Sequence, residues 1–136
     1  MTAPGPLERV DLDEVARILR DAGAVFAYLH GSVASGAARP GSDVDVAAHF
    51  DGADPAPWSV RLPPGVDLIV LDSAPLELAG RTALHGKLLF EHDPSRRVRW
   101  EAQTRKIYLD ERHRAEQATR DLIAGVRASV AEHEHG

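Results

Sequence analysis

The sequence predicts an α/β fold, a small mixed sheet of about four strands with helices packed on it and further helices at the C-terminal end. Helix-period and strand-period segments alternate along the chain, with no internal repeat and no low-complexity segment beyond Ala/Gly/Pro-rich loops. The 136 residues, 43% hydrophobic and 27% charged, suffice to close a single core, whereas two halves of roughly 68 residues would each be marginal without staples. There are no cysteines, so disulfides, thiolate zinc sites and cysteine nucleophiles are excluded together. One domain over residues 1–136, with its core at about 10–125, is the expectation.

Each element follows from local chemistry. Asp11 opens a first helix as N-cap with Glu14 three residues on, and Leu12, Val15, Ile18 and Leu19 share a face until Gly23 stops it. Ala24 to Leu29 reads as a buried strand ending at the Gly31-Ser32 turn. Ser32 to Ala38 is small and Ala-rich, enough for a helical turn or two before Pro40-Gly41. Asp43 to Phe50 alternates into a second strand. The stretch from Asp51 to Pro64 holds four Pro and one Gly and reads as an exposed connection. Val66 to Leu71 is a third strand, Pro75 begins a helix running to about Leu84, and Lys87 to Glu91 forms a fourth strand after the His85-Gly86 turn. From Ser95 the pattern is helical almost to the end, and it leaves room for a bend around Asp110. Trp100, Ile107 and the apolar stripe of Leu122, Ile123, Val126 and Val130 are expected mostly in the core, with a partner surface as the alternative if the stripe outlasts the sheet it can cover.

The net charge of -5 is unevenly spread. Residues 1–94 hold seven Lys and Arg against fourteen Asp and Glu, while residues 95–136 hold nine against seven. An acidic front half does not suit direct nucleic-acid binding and does suit a site that gathers cations. The apolar runs fall far short of the ~18 residues of a membrane span, so no membrane partner is expected. The opening MTAPGPLERVD lacks the basic and apolar regions of a signal peptide, and a cytoplasmic location is the expectation.

The chemistry concentrates in HGSVASGAARPGSDVDVAAHF, residues 30–50. On a strand, residues i and i+2 face the same way, so Asp43 and Asp45 present two carboxylates side by side. Unpaired, they would repel; a divalent cation between them keeps both ionised, and an all-oxygen site selects Mg2+ or Mn2+. The Gly31-Ser32 turn offers backbone N–H groups and a hydroxyl to an anion. Asp67 lies in an otherwise apolar strand, where a charge is rarely left without a partner. Beside the Asp43 strand it would add a third carboxylate, for two metals and a base towards an incoming hydroxyl; spacing alone does not establish that adjacency.

Gly31-Ser32, ten residues, Asp43-x-Asp45, then Asp67 in an apolar strand resembles the nucleotidyltransferase fold of the DNA polymerase beta superfamily. The small size, the Leu88-Leu89-Phe90-Glu91 strand and the C-terminal Tyr108-Leu109-Asp110 look more closely like its minimal branch, the MNT antitoxins paired with HEPN toxins. The resemblance covers about residues 10–125. It implies that Gly31 and Ser32 hold the triphosphate of ATP, and that Asp43 and Asp45 bind Mg2+ with Asp67 completing the site. It further implies a partner, a cognate HEPN ribonuclease silenced by AMP transferred to a tyrosine. Where the family shows Gly-Ser-x-Ala-Arg-Gly, this chain has Ser35 in place of the Arg. That substitution removes a guanidinium from the triphosphate and opens an alternative, an antitoxin that neutralises its toxin by binding alone. Arg39 lies on the same loop.

Other candidates are weaker. His85, His92 and His113 are scattered and His133-x-His135 is terminal, so functional zinc is not expected. His30 precedes the Gly-Ser turn, within reach of a nucleotide or serving packing. Arg96, Arg97 and Arg99 read as a solvated helix start, and no Ser/His/Asp nucleophile context surrounds Ser32.

Overall fold

The computed structural model describes residues 9–31, 34, 36 and 41–135, with side chains to 133. Ser32, Ser35 and Arg39, and with them most of the short helical segment expected over Ser32–Ala38, lie outside the described residues.

Helix α1 (Leu12–Asp21) starts where the cap predicts, the Asp11 carboxylate accepting from the N–H groups of Asp13 and Glu14 at 3.0 and 3.2 Å. Gly23, at φ +100°, turns the chain out of it. Strands β1 (Phe26–His30), β2 (Val44–His49), β3 (Val66–Val70) and β4 (Lys87–Glu91) form one sheet in the order β3-β2-β1-β4. β2 runs antiparallel to β1 and parallel to β3, and β4 runs antiparallel to β1, so the sheet is mixed. The first three strands begin or end one or two residues inside their expected limits, and Leu71–Ser73 forms a 3-10 turn instead of extending β3.

Alternation along the strands sorts side chains onto two faces. Ala27, Leu29, Val44, Val46 and Ala48 pack under Val15 and Leu19 of α1. Phe26, Tyr28, Ala47 and Ile69 face the other way, packed with Trp100. Helix α2 (Leu76–His85) and helix α3 (Pro94–His135) cover that second side. They meet where Gly80 accepts the Tyr108 ring against its Cα, and the Arg105 guanidinium donates to the Ala83 carbonyl at 2.6 Å.

The C-terminal end departs from the mostly buried helix read from its sequence. α3 is one continuous helix of 42 residues, without a bend at Asp110. No Pro or Gly interrupts residues 95–124, and pairs such as Arg114–Glu111 and Arg120–Glu116 support the helix locally. Ile107 and the stripe of Leu122, Ile123, Val126 and Val130 are exposed, Leu122 by 69%. The sheet is only four strands wide, and α3 has run past it by Tyr108, the last buried residue among its described side chains.

α3 is anchored by Glu101, whose side chain is 15% exposed. It accepts from the Tyr28 hydroxyl at 2.5 Å and from Arg97 at 2.9 Å, with Arg105 at 3.4 Å; Arg97 also pairs with Glu91 of β4. Burial pushes the Glu101 carboxyl up, but the Tyr28 and Arg97 hydrogen bonds, with the charges of Arg97 and Arg105, outweigh it and hold it below the ordinary carboxylate value. A lowered folded-state pKa contributes stability above the ordinary carboxylate range and loses it as pH falls through the folded value. Glu101→Gln is expected to cost about 2 kcal/mol at pH 7. Urea unfolding checks this, and the gap to the unsubstituted protein should shrink below about pH 4.

Candidate active site

The antiparallel register sets His30 opposite Asp45, and the parallel register sets Asp45 opposite Asp67. Directly opposed residues share a face, so three strands place one row of polar side chains, His30, Asp45 and Asp67, at one end of the sheet. The adjacency of Asp67 that spacing left open is thus present. Asp43 stands one residue before β2 and is exposed; its charge is felt at Asp45. Asp45 is half-buried and Asp67 exposed. Burial is the main influence raising the Asp45 pKa above the ordinary carboxylate value, Asp67 and Asp43 add to it, and His30 opposes it. The charged form of Asp45 is thus disfavoured by its own surroundings.

Gly31 closes against this row. It adopts φ +72°, and a Cβ built on it would lie 2.9 Å from Oδ2 of Asp45. The positive φ favours glycine, and an added methyl group would also push the Asp45 carboxylate aside. Gly31→Ala is expected to destabilise the protein by about 1–3 kcal/mol. Part of the loss should disappear in the Gly31→Ala/Asp45→Ala double variant, which removes the opposed carboxylate; thermal unfolding of the four-member cycle measures the coupling.

On the other flank, His30 Nδ1 lies 2.9 Å from the Thr82 hydroxyl, which donates to the Leu78 carbonyl at 2.9 Å. With the hydroxyl proton so placed, the bond requires Nδ1–H of His30 as donor, leaving Nε2 as acceptor. Burial is the largest influence lowering the His30 pKa; Asp45 opposes it and Arg81 assists it. His30 thus belongs to the row and is also packed on α2.

Two openings border the row. A cleft of about 220 Å³ is lined by His30, Gly31, Ala34, Arg81, His85 and Gly86. A wider groove of about 670 Å³ runs along the edge strand past Arg61, Val66 and Asp67. Sequence reading passed over Arg81 and set His85 aside as scattered. Their i,i+4 spacing on α2, one turn apart, was the available signal. Among the described residues no three His, Asp or Glu side chains stand close enough to close round a metal ion, so the aspartates form an open row of oxygen donors.

A family model described as "Polymerase beta, Nucleotidyltransferase" matches residues 13–95, well over half the chain. The chain belongs to the polymerase beta nucleotidyltransferase family. The match takes in Gly31, Asp43, Asp45, Asp67 and all of α2, and stops just inside α3.

Solved structures share this nucleotidyltransferase fold. A toxin–antitoxin structure with AMP-PNP aligns with a TM-score of 0.68 at 23% identity, covering 84% of this chain and 99% of that one. The toxin–antitoxin MntA–HepT aligns at 0.61 and 22% identity, covering 82% and 96%. A structure of the tri-AMPylated Shewanella oneidensis HEPN toxin in complex with MNT antitoxin aligns at 0.61 and 22% identity, covering 82% and 95%. No curated protein matches the sequence significantly. No helix among the described residues is long and apolar enough to cross a membrane.

Proposed function

We propose that this nucleotidyltransferase is the antitoxin of a toxin–antitoxin pair, moving AMP from ATP to a tyrosine hydroxyl of a HEPN-type ribonuclease toxin in an Mg2+-dependent reaction. The observation that carries the chemistry is the register pairing of Asp45 with Asp67, beside Asp43 and against Gly31. The likeness to toxin–antitoxin structures, one with AMP-PNP and one with an AMPylated HEPN toxin, supports the choice of nucleotide and acceptor.

The donor set fits magnesium. It is all oxygen, and it holds a half-buried carboxylate whose pKa is raised first by burial and then by Asp67 and Asp43. It also leaves room for the waters and substrate phosphates that Mg2+ keeps among its ligands. Asp43 and Asp45 would hold the ion, with Asp67 at its edge. Bound there, Mg2+ offsets the charge that develops on the phosphoryl oxygens.

The chain itself positions and moves a proton. Backbone at Gly31 and the hydroxyl of Ser32 hold the triphosphate, fixing the α-phosphorus over the carboxylate row. The acceptor oxygen enters along the groove beside β3 and attacks the α-phosphorus. A new P–O bond forms as the bond to the departing pyrophosphate breaks, and the hydroxyl proton passes to the Asp67 carboxylate. In-line geometry supplies most of the rate, because the reactants arrive already oriented.

The test is labelled ATP with Mg2+ and a HEPN-type ribonuclease toxin offered as the acceptor. Label on the toxin, lost in the Asp43→Asn/Asp45→Asn variant, is the expected result. Absence of Mg2+-dependent transfer, or transfer unchanged in that variant, overturns the reading. Full neutralisation of the toxin by the double variant would instead indicate an antitoxin that acts by docking.

A further inference from the structure

The geometry points to Arg81 as the side chain that binds the β- and γ-phosphates of ATP, in the cleft it lines with His30, Gly31 and His85. This rests on the nucleotidyltransferase reading of the same site and adds a residue to it. A triphosphate brought against a row of three aspartates meets negative charge on one side and needs cations on the other. Among the described residues of the cleft, Arg81 carries the one permanent positive charge, and His85 stands one helical turn further along α2. Arg81 is also close enough to His30 for its charge to be felt there, which places it on the Gly31 side of the carboxylate row.

Arg81 is free to turn. Its present partner is Glu77, at 2.9 Å, with side chains 64% and 60% exposed. Such an exposed pair contributes little, about 0–1 kcal/mol, whereas a guanidinium meets phosphate oxygens through two parallel, charge-assisted hydrogen bonds. When Arg81 leaves, Glu77 still has the Tyr108 hydroxyl at 3.3 Å. The helix frame holding Arg81 is fixed from behind by the Gly80–Tyr108 contact and by Thr82.

Binding of ATP and of AMP, each with Mg2+, to the full chain and to Arg81→Ala and Arg81→Lys is the test, with thermal unfolding of each variant. Arg81→Ala is expected to weaken ATP about 30-fold while leaving AMP affinity and the melting temperature unchanged, and Arg81→Lys to recover part of the ATP affinity. Arg114→Ala, which removes a positive charge from an exposed pair on α3, should change nothing. Equal weakening of ATP and AMP, or ATP binding by Arg81→Ala equal to that of the unsubstituted chain, overturns the role of Arg81 alone. If the unsubstituted chain binds neither nucleotide, the nucleotidyltransferase reading fails, and this inference with it.

Discussion

Asp45→Asn is expected to abolish nucleotidyl transfer and, at neutral pH, to raise the melting temperature of the protein. Both results follow from the same environment. Asp45 is half-buried, opposite Asp67 and near Asp43, and its pKa is raised first by burial and then by those two charges. A carboxyl whose folded-state pKa is raised contributes stability that is present below its ordinary pKa and lost as pH rises through the folded value. At pH 7 the ionised side chain therefore strains the fold, and the neutral amide of nearly the same shape removes that strain. The gain should fade as pH falls into the carboxylate range, where Asp45 is itself protonated. Transfer, by contrast, should fall by about 10³-fold if Asp45 holds the metal as proposed, since the substitution removes one of its charged ligands. Thermal unfolding across pH and a labelled-ATP assay on the same preparation check the pair. Asp45→Asn less stable than the unsubstituted protein at pH 7 would contradict the account of its environment.

Gly80→Ala should be the most damaging small substitution in the scaffold. A Cβ at Gly80 would fall 2.2 Å from Cγ of Tyr108 and 2.3 Å from Cδ2, well inside contact distance, and neither the ring base nor the α2 backbone can yield cheaply. Alanine in a helix is ordinarily favoured over glycine by about 1 kcal/mol, but displacing Tyr108 separates α2 from α3 and loses the bond to Glu77. A net loss of about 2–3 kcal/mol is expected, read as a lower urea midpoint. Gly125→Ala makes the same chemical change where nothing lies within 4 Å of the new methyl group. It should gain up to about 1 kcal/mol of local helix stability, seen in the far-ultraviolet helical signal. The opposite signs separate crowding at Gly80 from anything general to helical glycine.

The fold was legible wherever local chemistry decides structure. The Asp11 cap, the stop at Gly23 and the His85-Gly86 turn before Lys87–Glu91 are set by side chains acting over a few residues, and each element stands within about two residues of its expected limits. The candidate site was legible only in part. Asp43 and Asp45 are neighbours by spacing, but Asp67 reaches Asp45 through a parallel pairing across a connection of sixteen residues without an α-helix, which no local rule dictates. Arg81 and His85 were passed over because their significance depends on α2 lying beside β1, a tertiary fact. The expected burial of the stripe at Leu122 to Val130 failed for a related reason. Periodicity shows that a helix has an apolar face, and says nothing of whether the sheet extends far enough to meet it.

That mismatch in length has a thermodynamic consequence. Up to Tyr108 the helix α3 shares its free energy with the sheet through Trp100 and Glu101, and it must unfold when the sheet does. Beyond Tyr108 every described side chain is exposed, and the helix there persists on its own propensity and on a few ion pairs, a regime in which isolated segments are marginal in water. The chain therefore contains two cooperative units joined by an uninterrupted backbone. Heat absorbed on melting should reflect the first, while the helical signal reports both, so the two would give different midpoints for one molecule.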